Sequence, residues 1–296
     1  MKPLARHYVY GMLAVVLLLW TGNTIIGRAV RNDIPPFTLT LGRWTLASAI
    51  LLPFAWRKII EDWPVVRAGW WRILLLGLVG VGSFNALLYS GLQHTTATNA
   101  LLIQASIPAL VLAINSALFG LHPPLKEVAG VTIAAVGAVL IICRADPGVL
   151  SGLHFGLGDV LVACAALVWA FYTVLLRIRP AIDQTSFITL IFLVGVVVML
   201  PPAMLEWRNH VIPITPAVVG AVVYVAVFAS LIAYFLYNLA VREIGPGAAS
   251  QILSLQPLAG ALLAVLLLGE ELHGYHLVGM VLILVGIAIP LLNRRT

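Results

Sequence analysis

Two short polar stripes at helical spacing cross otherwise apolar stretches of this chain. Their side chains suit the recognition of an amphipathic solute better than the breaking of bonds. Trp20, Asn23, Thr24 and Gly27 fall at i, i+3, i+4 and i+7, and so do Trp169, Tyr172, Thr173 and Leu176, 149 residues later. A second pair of stripes shares that offset with the residue types exchanged. Asn85 and Tyr89 stand one turn apart, and 149 residues on stand Tyr234 and Asn238. Hydrogen-bonding groups are costly in hydrocarbon, so such stripes face another helix or a wet cavity. Rings with a polar tip stack on apolar parts of a ligand, while carboxamides bind amino or carboxyl groups. Tyr237 lies just beside the second stripe. Two plainer roles compete: fastening helices together, and anchoring at the membrane interface, which fits Tyr8, Tyr10, Trp56, Trp63, Trp70 and Trp71 better than Trp20 or Trp169.

Further candidates surround two prolines. Asn99, Gln104 and Ser106 precede Pro108, and Ser250, Gln251, Ser254 and Gln256 precede Pro257. A mid-helix proline frees the carbonyl four residues earlier, here Gln104 and Leu253, and suits a hinge, although static bundles tolerate it too. Arg43 is the one cation inside an apolar stretch. It needs a carbonyl, an acidic loop residue or a substrate carboxylate as partner, or it snorkels to the nearer surface, about two turns away at Pro36. Acidic residues are confined to segment ends and loops: Asp33, Glu127, Asp159, Asp183, Glu206, Glu243, Glu270 and Glu271. A carboxylate proton relay is therefore unsupported, and uncoupled or exchange transport is the simpler expectation, with His94 and Asp159 as the remaining titratable candidates.

Nothing in the sequence suggests an enzyme or a cofactor. A nucleophile elbow, a His-Glu-x-x-His pair and a phosphate loop are missing, and His273 and His276 beside Glu270 and Glu271 read as a solvated patch rather than a metal site. Cys143 and Cys164 read as small apolar fillers.

The elements that position these residues are membrane helices. With 61% hydrophobic and 9% charged residues and a mean hydropathy of +1.05, the chain cannot be housed in a soluble core. At roughly 20 residues per crossing, spans are expected near 8–27, 36–55, 70–91, 95–118 and 125–143, then near 157–178, 184–205, 216–240, 246–268 and 273–292. The runs are continuously apolar, which favours helices over barrel strands. Lys2 and Arg6 precede the first run as in a signal peptide, but its length and the spans after it predict a retained helix.

An ungapped shift of 149 residues also superposes Arg28 on Arg177, Pro108 on Pro257, and Gly120, Gly130 and Gly137 on Gly269, Gly279 and Gly286. The expected organisation is two five-helix repeats, 1–147 and 148–296. An odd number of crossings per repeat makes the second enter from the opposite side. Gly130, Ala134 and Gly137, with Gly279 and Gly286, form small-residue ridges for close packing against the same chain or a second protomer. Of the 17 basic residues, 12 fall on the side of the N-terminus (Lys2, Arg6, Arg57, Lys58, Arg67, Arg72, Lys126, Arg177, Arg179, Arg242, Arg294 and Arg295). Only four, Arg28, Arg31, Arg144 and Arg208, fall on the other. Both termini are thus expected in the cytoplasm, and the net charge of +6 reports orientation rather than nucleic-acid binding.

The stretch SLQPLAGALLAVLLLGEELHGYHLVGMVLILVGIAI from Ser254, with Pro257, the Gly269–Glu270 pair and Gly279 and Gly286, resembles the closing signature of EamA-type members of the drug/metabolite transporter superfamily. The first half carries a degraded copy, IPALVLAINSALFGLHPPLKEVAGVTIAAVGAVLI, with Leu121 and His122 where the second has Glu270 and Glu271. Trp20 and Arg43 fall where such proteins often place an aromatic residue and a second-span arginine. The resemblance implies an inner-membrane secondary transporter exporting small metabolites through a central pathway. Among its subfamilies the chain looks most like the aromatic and hydrophobic amino-acid exporters. A carrier of phosphorylated or nucleotide sugars and a multidrug exporter are the alternatives, the first disfavoured by the single buried cation. Expected partners are the lipid bilayer and a small solute; monomer or homodimer is left open.

Overall fold

In hydrocarbon every backbone N–H and C=O must be bonded within its own segment or to a neighbour, so uninterrupted apolar runs become helices. The structure, a computed structural model, describes residues 5–142, 148, 156–260, 263 and 274–289. Its regular elements are all helical among those residues. In chain order they are α1 (Arg6–Ala29), α2 (Pro36–Ala68), α3 (Trp70–His94), α4 (in two pieces, Ala97–Gln104 and Ile107–Phe119), α5 (Leu125–Ile142) and α6 (Leu157–Ile178). After these come α7 (Gln184–Glu206), α8 (Pro216–Ile244), α9 (opening at Pro246–Ser250 and helical again over 256–260) and α10 (Gly274–Ala288). Seven of the described helices, α1 to α4 and α6 to α8, are long and apolar enough to cross a bilayer. Gly269, Glu270, Glu271, His273 and Cys143 lie outside the described residues.

Helix α2 departs from expectation. It runs for 33 residues instead of ending near 55, with Pro53 and Pro64 inside it. At 1.5 Å per residue it is about 50 Å long, against a hydrocarbon core of about 30 Å. Polarity does not end a helix. Arg57, Lys58, Glu61 and Asp62 sit on its protruding final turns, where Trp56 and Trp63 stay exposed.

The packing has two-fold character in sequence. Helix α2 packs along α7, α5 along α10, α1 on α8 and α3 on α6. The 149-residue shift maps the first two pairs onto themselves and exchanges the last two. The glycine ridges meet within the chain: a β-carbon on Gly137 would lie 2.6 Å from the Gly279 carbonyl oxygen, and one on Gly286 would strike the Gly130 carbonyl and Ala134. Hydrophobic side chains such as Phe54 and Val197 point outward, while Trp44, Trp169, Tyr234, Phe187 and Phe192 fill the interior beside buried polar groups. Cys164 is an exposed free thiol.

Candidate functional site

Two helices are locally underwound where they meet the centre. Residues Leu78–Ser83 of α3 and Tyr224–Ile232 of α8 are π-helical, a feature the sequence pattern did not reveal. Such turns open carbonyls to side-chain donors. Gly80 O accepts from the Tyr234 hydroxyl at 2.7 Å, and Ala229 O accepts from Trp20 Nε1 at 3.0 Å and Arg43 Nη2 at 2.8 Å. Gly80 and Ala229 are themselves 149 residues apart.

Arg43 does not snorkel. At 1% exposure its guanidinium points inward, because neutral acceptors from three other helices converge on it. Nη1 donates to Asn23 Oδ1 (2.9 Å), Asn85 Oδ1 (2.6 Å) and the Tyr89 hydroxyl (2.9 Å), and Nε donates to Ser230 Oγ. Tyr89 in turn donates to Asn23 Oδ1 at 2.6 Å, and the Trp44 ring lies 4.7 Å from the Arg43 guanidinium carbon. No carboxylate among the described residues pairs with Arg43. Burying a cation costs several kcal/mol, which charge-assisted hydrogen bonds of about 1.5–3 kcal/mol each offset.

Beside the guanidinium lies a cavity with about 320 Å³ of empty space, open solvent included. Its wall holds Trp20, Asn23, Arg43, Phe84 and Asn85 from α1 to α3, Gln104 and Ile107 from α4, Trp169 and Tyr234 from α6 and α8, and Leu253 and Gln256 from α9. Trp20 with Trp169, Asn85 with Tyr234, Gln104 with Leu253 and Ile107 with Gln256 are each related by 149 residues, so corresponding positions of the two halves share one space. Arg43 has no such counterpart, since its equivalent is Phe192. The indoles of Trp20 and Trp169 meet edge to face, 4.9 Å between centroids. In the wall Gln256 Oε1 lacks a hydrogen-bond partner, and Asn85 Nδ2 and Trp169 Nε1 make no well-formed bond, although they stand beside the Tyr234 and Tyr237 hydroxyls. Buried polar atoms are normally paired, and further unpartnered ones lie outside the wall on Trp44, Ser48, Asn115, Ser186 and Gln251, so those of the wall are spare capacity for a polar ligand and not a mark confined to it.

Several expected site residues act behind the wall. Thr24 accepts from Gln104 Nε2 at 3.3 Å and fixes that side chain, while Tyr89 braces Arg43. Tyr172 donates to Asn238 Oδ1 at 3.1 Å, and Asn238 donates to Tyr234 O at 2.8 Å, a self-satisfied pair away from the cavity. Asn99 stands apart from the wall: on the first turn of α4 its amide reaches Asp159 Oδ1 at 3.4 Å, at the helix ends. Gln251 and Ser254 are buried but outside the wall. The reason is local geometry. Gln251–Leu255 is 3₁₀-helical, and at three residues per turn Leu253 and Gln256 share the face that looks into the cavity. The same segment precedes Pro257, and α4 breaks at 105–106 just before Pro108. Phe84, Ile107, Leu253 and Ser230 were missed, being apolar or off the stripes, though the 149-residue shift links Ile107 and Leu253 to the glutamines.

Polar clasps close both ends of the bundle. At one, Glu206 accepts from Phe37 N (3.0 Å), Thr38 N (2.7 Å) and Thr38 Oγ1 (2.7 Å), tying the start of α2 to the end of α7. At the other, Lys58 pairs with Asp183 at 3.0 Å. Partial burial alone raises the Asp183 carboxyl, but the Lys58 ammonium and Thr185 outweigh it and hold it below the ordinary aspartate range.

The EamA-like transporter family model matches residues 7–143 and again 156–292. Similar curated proteins include an "Uncharacterized transporter" of Archaeoglobus fulgidus, 27% identical over 93% of this chain and 94% of its own length. Another is YyaM of Bacillus subtilis, 27% identical over 95% and 93%. The "inner membrane transporter YedA" of Escherichia coli is 24% identical over 97% and 91%. A solved crystal structure superposes with a TM-score of 0.76 at 19% identity, over 98% of this chain and 99% of the other, and supports the fold alone. Helices that can cross a bilayer, an inward-facing polar centre and two family matches spanning nearly the whole sequence agree: this chain belongs to the EamA-like transporter family, and is a membrane-embedded, multi-pass protein.

Proposed function

We propose that the chain is a secondary transporter exporting small amphipathic metabolites, most of all aromatic and other hydrophobic or neutral amino acids, across the cytoplasmic membrane. In this reading ten helices form two inverted repeats, 1–147 and 148–296, with both termini in the cytoplasm, and Pro108 and Pro257 serve as hinges for alternating access. One observation carries it: Arg43 is buried without a carboxylate among the described residues, beside a cavity walled by the rings of Trp20, Trp169 and Tyr234. A solute carboxylate supplies the missing anion, and the ring wall takes its apolar part. A phosphate dianion calls for several cations, and the wall has one.

Counterflow of radiolabelled phenylalanine, threonine and a sugar phosphate into proteoliposomes tests the assignment. Phenylalanine flux well above sugar-phosphate flux is expected, and the reverse order overturns it. Orientation is tested separately with single cysteines in a variant lacking Cys143 and Cys164. Asn209→Cys should react with an impermeant reagent on whole cells and Glu61→Cys should not; the opposite pattern refutes the topology.

A further inference from the structure

The unpaired acceptors of the cavity come from elements different from those that supply its donors. Gln104 uses its Nε2 twice, to Thr24 Oγ1 at 3.3 Å and Ala100 O at 3.2 Å, and no hydrogen bond among the described residues reaches its Oε1. Gln256 Oε1 is buried and likewise unpaired. Both side chains are at most 3% exposed and both line the cavity. They stand on α4 and α9 next to the two proline breaks, in positions one turn out of register under the 149-residue shift. The donors with capacity to spare are the remaining N–H of Arg43 on α2, Asn85 Nδ2 on α3 beside the Tyr234 hydroxyl, and Trp169 Nε1 on α6 beside the Tyr237 hydroxyl.

Resting on the proposed function, we infer that Gln104 and Gln256 form a second recognition pole that binds a solute's ammonium or other N–H donor through two carboxamide oxygens, opposite the carboxylate pole at Arg43. The solute then lies across the two halves, its acid end on the first and its amine end shared between α4 and α9. A neutral oxygen pair suits this task. It binds a protonated amine yet leaves no stranded charge in an empty cavity, where a carboxylate would face burial alone. Thr24 contributes by orienting the Gln104 amide so that its oxygen, rather than its nitrogen, is free.

The test compares phenylalanine with 3-phenylpropionate, which keeps ring and carboxylate but lacks the amine, in proteoliposome counterflow. Wild type should favour phenylalanine about 10- to 100-fold, because a buried acceptor left unpaired penalises the analogue. Gln256→Leu should lose most of that preference while still carrying 3-phenylpropionate, whose flux doubles as the check on folding. Gln256→Glu should gain flux of phenethylamine, which has the amine alone. The inference is overturned by equal wild-type flux of phenylalanine and 3-phenylpropionate, by a preference that survives Gln256→Leu, or by a Gln256→Glu variant indifferent to amines. In each of those cases carboxylate transport stands. Failure of every carboxylate to be carried instead overturns the transport assignment itself, and this inference with it.

Discussion

Replacing Arg43 with Met removes the only cation of the cavity wall while nearly keeping its volume. An ion pair at 4 Å is worth about 4 kcal/mol at the effective dielectric of about 20 that suits such sites. A charge-assisted hydrogen bond adds about 1.5–3 kcal/mol. Stripping water from the solute carboxylate takes back a large part, leaving roughly 2–4 kcal/mol, or about 30- to 1,000-fold in apparent affinity. Stability should move less. The variant strands Asn85 Oδ1 and Ser230 Oγ loses one donor, but Asn23 Oδ1 keeps its bond from Tyr89 and the cost of burying a cation vanishes. Proteoliposome counterflow of phenylalanine should therefore fall about 100-fold at subsaturating concentration. Uptake of phenethylamine, which has no carboxylate, should change by less than about three-fold, and detergent-solubilised protein should melt within a few degrees of wild type. An equal fall for both solutes points to collapse of the cavity. No fall for either, at normal yield, removes Arg43 from transport; both results refute the reasoning.

Gly286→Val places a side chain against the Gly130 carbonyl and Ala134 and should destabilise the α5–α10 contact by about 1–3 kcal/mol, read as a lowered melting temperature in detergent. A variant as stable as wild type would show that the two helices part freely. The Lys58–Asp183 clasp predicts a weak acid sensitivity. Because folding holds the Asp183 carboxyl below its unfolded value, the stabilisation is present above about pH 3.9 and fades as pH falls through the lowered folded value. With side chains 46% and 40% exposed, screening limits it to less than about 1 kcal/mol. Lys58→Met should thus melt slightly lower than wild type at pH 7 and converge with it in acid; a gap unchanged down to pH 2 contradicts the pairing.

Much of this protein could be read from order and composition alone. Continuous apolar runs determine helices because hydrocarbon forbids unpaired backbone, and the 149-residue recurrence of Trp20 and Trp169 directs attention to one centre. The stripes identified Trp20, Asn23, Asn85, Trp169 and Tyr234, since polar groups in a membrane helix must face inward. Register was harder. The 3₁₀ turn at Gln251–Leu255 and the π turns at Leu78–Ser83 and Tyr224–Ile232 rotate side chains away from a uniform 3.6-residue period. That is why Gln256 entered the wall while Gln251 and Ser254 did not; Asn99, polar and on the right helix, stands on its first turn and reaches Asp159 instead. The direction taken by Arg43 was undetermined in one dimension, because inward burial and snorkelling differ only in which acceptors lie within reach. Tertiary structure decided it by bringing Asn23, Asn85, Tyr89, Ser230 and the Ala229 carbonyl, residues up to 187 positions away, around one guanidinium.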